Sequence, residues 1–215
     1  MDLFGETENW VFNLNPILIK YHDRKHPLAY QNLYQLVIMV ILSAQDSDAN
    51  INTLAPILFL KYPSLQSLQK TKPVELYPYL ISVKYFEKKA NWVIEIAHIL
   101  KNDINIPLNI KDLTALKGIG RKSAHVVLRE FNKPAQGIIV DLHVLRVAPR
   151  IGIIQTTKDA LKAEKQLMQL LPQPLWGNIG MALSFLGREI CRPKPNCNNC
   201  PITSSCSYFI NNILH

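Results

Sequence analysis

Between Gly5 and Gly118 the chain contains no glycine, and seven of its eight glycines fall at or after Gly118. Tight hairpin turns need residues that accept positive φ, so this first half has almost no hairpin chemistry and reads as helical. From Leu33, apolar residues recur at Leu36, Val37, Val40 and Ile41, the spacing of one helical face. Ile38, Met39 and Leu42 make the segment apolar nearly all round, which predicts a central buried helix. A second periodic set runs Phe86, Ala90, Val93, Ile94, Ala97 and Leu100, and a third runs Ile179, Ala182, Leu183, Leu186 and Ile190. Both predict amphipathic helices. Prolines at 27, 56, 63, 73, 78, 107, 134, 149, 172 and 174 are expected where helices stop and short connections begin. No strand pattern of four or more alternating residues stands out, and no repeat or low-complexity tract is found. The expected fold is all-α.

A chain of 215 residues makes one large domain or two small ones. With 48% hydrophobic and 19% charged residues it is far from the composition of disordered chains. Its longest uninterrupted apolar run, Leu36 to Leu42, is too short for a bilayer, so no membrane association is expected. The opening MDLFGETENW carries Asp2, Glu6 and Glu8 where a secretory signal carries positive charge, which predicts an intracellular, cytoplasmic protein. Lys and Arg together number 24 against 16 Asp and Glu, a formal charge of +8, and a polyanionic partner follows, nucleic acid first. All four cysteines, Cys191, Cys197, Cys200 and Cys206, fall in one sixteen-residue window. In a reducing compartment such a cluster reads as metal binding.

KDLTALKGIGRKSAHVVLREF, residues 111–131, reads as a short helix, a turn on Gly118 and Gly120, and a second helix with Ala124, Val127, Leu128 and Phe131 on one face. Glycines there let successive backbone N–H groups approach a phosphate at a helix N-terminus. An ordinary glycine-capped helix connection has the same pattern, but the surrounding charge favours phosphate. Between 117 and 150 lie seven cations and two acids. Lys122 falls in the first turn of the second helix beside Arg121, where the helix dipole and the neighbouring cation both disfavour an ammonium.

LKGIGRKSAHVVL at 116–128, VDLHVLRVAPRIG at 140–152, LSAQDSDANIN at 42–52 and the four C-terminal cysteines together resemble the endonuclease III branch of the helix-hairpin-helix DNA glycosylases, over roughly residues 30–206. The resemblance implies a base excision DNA repair glycosylase with AP lyase activity. It would act on double-stranded DNA bearing a damaged base, by default an oxidised pyrimidine, or an abasic site. Lys122 would be the catalytic nucleophile and Asp141 the catalytic carboxylate. The resemblance also implies DNA contacts by Lys117, Gly118, Gly120, Arg121, Arg192 and Lys194, with His143 and Arg146 near the same cleft and Gln45 filling the gap left by an extruded base. Asp141 also reads as a helix N-cap ahead of LHVLRV, and the two roles are compatible. Two helical lobes are expected: 26–134 with the hairpin and Lys122, and 1–25 plus 135–215 with Asp141 and the cysteine loop, the active site lying between them. A monomer associated with the nucleoid is expected.

Four thiolates spaced C-x5-C-x2-C-x5-C suit a 4Fe-4S cluster or tetrahedral zinc, and spacing alone does not separate the two. The resemblance favours iron-sulfur, with a first interval of five residues where the family has six. Thr114, Leu142, His125 and Lys84 depart from the family pattern at positions that touch base recognition. Two other functions stay open: removal of uracil, thymine or adenine from mismatches, and a catalytically silent DNA-binding module. Lys122 argues against the first.

Overall fold

The structure, a computed structural model, describes residues 9–212. Asp2, Glu6 and Glu8, on which the cytoplasmic expectation rests, lie outside the described residues. Among the described residues the regular elements are all helical, and no helix is long and apolar enough to cross a membrane. The chain divides into two compact units: residues 25–133, and the segment up to Arg24 together with everything from Pro134 onward.

The chain begins with α1 (Trp10–Lys20), which belongs to the second unit. The first unit is then built around α2 (Leu33–Leu42). Its N-cap, Asn32, accepts the Gln35 N–H, and every side chain from Leu36 to Leu42 is buried. Side chains of this size each contribute about 1.5–3 kcal/mol on burial, so α2 is held by packing rather than by intrinsic helix propensity. Against it pack α3 (Asp48–Lys61), α6 (Phe86–Leu100) and α8 (Arg121–Glu130). Between them α4 (Leu65–Gln69) and α5 (Pro73–Leu80) cover α6, and α7 (Ile110–Ala115) forms the first arm of a hairpin with α8.

In the second unit α9 (Leu142–Ile151) lies along α11 (Gln173–Glu189), which also carries α1. The unit is completed by α10 (Ala160–Leu170) and α12 (Ser207–Asn212), the latter packed on α9. Between Cys191 and Cys206 the chain forms only two short 3₁₀ turns, Cys197–Asn199 and Thr203–Ser205.

The helices expected around Leu33–Leu42, Phe86–Leu100 and Ile179–Ile190 are present as α2, α6 and part of α11. Prolines as helix stops need correction. Pro56, Pro78 and Pro149 lie inside α3, α5 and α9. An interior proline costs about 3 kcal/mol, but in α3 Ile51, Ala55, Leu58 and Phe59 are buried on both sides of it. That packing outweighs the lost backbone bond.

Candidate active site

The hairpin has Leu116 as the C-cap of α7 and Gly120 as the N-cap of α8. Gly118 takes φ +83°, and a Cβ there would fall 2.7 Å from the Trp92 ring and 3.1 Å from Ile41. Two separate constraints, conformation and space, thus require glycine at 118. Gly120 differs from what the sequence suggests. Its φ is −83°, and a Cβ there would meet nothing within 4 Å. The unit's own packing does not need a glycine at that point; the space over the first turn of α8 is open. Ile119, between them, is buried and anchors the turn.

Lys122 is the second residue of α8 and is exposed. Among the described residues no hydrogen bond or ion pair engages its amine. Arg121 precedes it, also exposed, and Lys117 forms a 2.9 Å ion pair with Glu95 at the surface. Thr114 turns its hydroxyl back onto the Ile110 carbonyl, and His125 is buried within α8. Lys122 thus stands at the positive end of a helix whose first N–H groups have no intrahelical partner.

In the second unit, Asp141 is the N-cap of α9. Its Oδ1 accepts the N–H groups of His143 at 2.9 Å and Val144 at 3.0 Å. Its Oδ2 accepts the hydroxyl of Ser184, wholly buried on α11, at 2.7 Å, with Arg188 Nη2 at 3.9 Å. The approach of the 138–140 segment to α11 depends on Gly180, where a Cβ would sit 2.3 Å from the Ile139 carbonyl oxygen. Both carboxylate oxygens are therefore oriented by groups of their own unit, and Asp141 retains 9% exposure. Leu142, next in the chain, is an exposed apolar side chain.

Arg146 donates from Nε to the Cys191 carbonyl and from Nη2 to the Gly187 carbonyl, with His143 Nδ1 at 3.2 Å from the same Nη2. Its first task is to hold the start of the cysteine loop. Arg150 had no assigned role in the sequence, yet it fastens that loop more firmly. It donates to the carbonyls of Arg192 at 2.6 Å and Pro193 at 3.1 Å, and to Cys191 Sγ at 3.7 Å. Arg192 and Lys194 are exposed on the loop.

All four cysteines are free thiols. Burial pushes the Cys200 thiol up to about 11, opposed by a backbone N–H and reinforced by Cys206, Cys191 and Cys197. Cys197 is likewise pushed up by burial first, then by Cys206 and Cys191. Among the described residues no three His, Cys, Asp or Glu side chains converge tightly enough to hold a metal ion. The donors fit a metal cluster in kind and in number, and Arg150 holds the start of their loop at Cys191.

Gln45 is exposed and follows α2 with φ +59°. Lys84 is exposed as well, and its backbone N–H reaches the Asp46 carboxylate at 2.7 Å. Three polar residues that the sequence did not single out order this region and the carboxylate: Lys89, Asp46 and Ser184. Lys89 carried one legible signal, a lysine on the apolar face shared by Phe86, Ala90 and Val93.

Residues 38–173 match the family HhH-GPD superfamily base excision DNA repair protein, and the chain belongs to it. It is 38% identical to endonuclease III of Rickettsia prowazekii over 188 residues, covering 86% of this chain and 87% of that protein. It is 34% identical to endonuclease III of Thermotoga maritima, covering 89% and 90%. Among solved structures, a trapped endonuclease III–DNA covalent intermediate superposes with a TM-score of 0.84 at 30% identity, over 95% of this chain and 97% of that one. The chain is thus a base excision repair enzyme with DNA glycosylase and AP lyase activity.

Proposed function

We propose that this enzyme removes oxidised pyrimidines such as thymine glycol from double-stranded DNA and then nicks the strand, with Lys122 as nucleophile and Asp141 as its carboxylate. The observation that carries this reading is the exposed amine of Lys122, without a partner among the described residues, two positions after the open Gly120 at the start of α8. The covalent trapping of a relative on DNA supports the same chemistry.

The glycosidic bond breaks through a sugar with cationic character, and a carboxylate near C1′ stabilises charge that develops only in the transition state. Asp141 suits that role because backbone N–H groups and Ser184 hold both of its oxygens. The Lys122 nitrogen bonds to C1′, and the base departs with the glycosidic electron pair and takes up a proton. Loss of a proton from the amine and opening of the sugar ring give an iminium. That iminium acidifies the C2′ proton; its removal expels the 3′ phosphate with the C–O electron pair.

DNA contact is assigned to the hairpin, through Lys117, Gly118, Gly120 and Arg121, to Arg192 and Lys194, and to Gln45 in the vacated base position. DNA contact is assigned to His143 and Arg146 as well, Arg146 mainly through the cysteine loop that it holds. Cys191, Cys197, Cys200 and Cys206 would hold a 4Fe-4S cluster in preference to zinc. Bound there, it supplies a covalent closure to a loop with little apolar sequence, and no catalytic step passes through it. The enzyme is read as a monomer.

Borohydride trapping tests the proposal, using duplexes that carry thymine glycol, dihydrouracil, uracil, an abasic site, or adenine opposite 8-oxoguanine. The expected result is a stable adduct on the oxidised-pyrimidine and abasic duplexes with the native enzyme and none with Lys122→Ala. An adduct that persists in Lys122→Ala overturns the nucleophile, and adducts confined to the uracil or adenine duplexes overturn the substrate.

A further inference from the structure

Lys89 is 2% exposed, although Lys84 and Lys88 of the same segment lie in solvent. Its ammonium donates to the Leu42 carbonyl at 2.6 Å and the Ala44 carbonyl at 2.7 Å, the groups that end α2. Burial draws this ammonium below the usual lysine range, opposed by the Asp46 carboxylate. A buried cation is costly unless it satisfies something that needs it. The Leu42 carbonyl is one such group, because the last carbonyls of α2 lack an intrahelical partner and Ser43 N–H reaches that of Met39, at 2.8 Å. The Ala44 carbonyl, beyond the helix, leads into a second. Gln45 holds the left-handed conformation at φ +59°, which a non-glycine residue keeps only when its surroundings impose it.

Asp46 extends the same construction outward. Its Oδ1 accepts from Ser47 N–H at 2.8 Å and Asn50 Nδ2 at 3.0 Å, and its Oδ2 from the Lys84 N–H at 2.7 Å. Asn50 Nδ2 also donates to the Ser82 carbonyl at 3.1 Å. The turn bearing Gln45 is thereby tied to the turn bearing Tyr85, which is exposed and also left-handed at φ +59°. The backbone N–H of Lys89 closes that second turn on the Tyr85 carbonyl at 3.1 Å.

We propose that Lys89 is a positioning residue for base extrusion. From inside the unit it holds the Ala44 carbonyl so that Gln45 stays presented, while Asp46 locks the two turns into one preformed element. This rests on the reading of Gln45 as the side chain that fills the vacated base position.

The test is a double-mutant cycle of Lys89→Met and Gln45→Ala, read as the single-turnover rate of thymine glycol excision at saturating enzyme. Each single change is expected to lower the rate about tenfold, because extrusion of a base is an uphill step that the wedge supports. The double mutant is expected within about twofold of Gln45→Ala alone, since Lys89 acts through Gln45. Losses that multiply, or a Lys89→Met rate equal to the native one, overturn the inference while leaving the proposed function standing. A native protein that excises nothing from this duplex overturns both. Should Lys89→Met fail to fold, Asp46→Ala at the surface takes its place in the cycle with the same expected and overturning results.

Discussion

Gly118 lies against the Trp92 ring and Ile41, whereas Gly120 faces open space. Alanine at 118 must adopt φ near +83° and push into Trp92 and Ile41. Gly118→Ala is expected to cost about 2–4 kcal/mol in urea denaturation, from the backbone conformation plus overpacking. Alanine at 120 meets open space, so its cost stays within about 1 kcal/mol, the loss of a better N-cap. Its effect should appear in DNA affinity instead, as a weakening of about tenfold where a methyl group blocks phosphate from the helix N-terminus. Equal stability losses in both variants, with unchanged DNA binding at 120, would contradict this division. The sequence made both glycines candidates for close approach. Which one faced the unit and which faced outward depended on Trp92, twenty-six residues earlier.

At the scale of elements, Asp141 serves as a helix cap and as a catalytic carboxylate, and the two uses separate by substitution. Asn retains an oxygen for the His143 and Val144 N–H groups, so Asp141→Asn is expected to hold stability within about 1 kcal/mol of native. Asp141→Ala removes the cap and leaves the buried Ser184 hydroxyl without its acceptor, and is expected to lose about 2–4 kcal/mol. Both should slow excision, Asp141→Asn on the order of 100-fold, because the negative charge is gone. A fully active Asp141→Asn would remove the carboxylate from the mechanism. The N-cap was legible from Asp141 ahead of LHVLRV. Ser184 was not, since one serine in the apolar run of α11 gives no hint of what faces it across forty-three residues. The cysteine loop divides in the same way. Its four thiols are plain in the spacing, whereas Arg150 as its fastener is visible only once α9 lies beside the loop.

For the whole molecule, a formal charge of +8 makes association with DNA an electrostatic event before it is a specific one. Affinity for an abasic-analogue duplex is expected to fall steeply with salt, the logarithmic slope being about −0.9 for each phosphate neutralised. Lys194→Ala, at an exposed position on the cysteine loop, should make that slope shallower by about one while leaving lesion preference unchanged. A slope near zero in the native protein would contradict binding through the DNA phosphates. Helical character, the buried α2, the hairpin, the lysine and the four thiols were determined by the sequence alone, because each rests on local periodicity, turn chemistry or spacing along the chain. Tertiary structure alone decided that helices run through Pro56, Pro78 and Pro149, that Lys89 turns inward onto the end of α2, and that Ser184 meets Asp141. Those outcomes balance a local penalty against contacts between residues far apart in the chain, and such contacts exist only after the elements have packed.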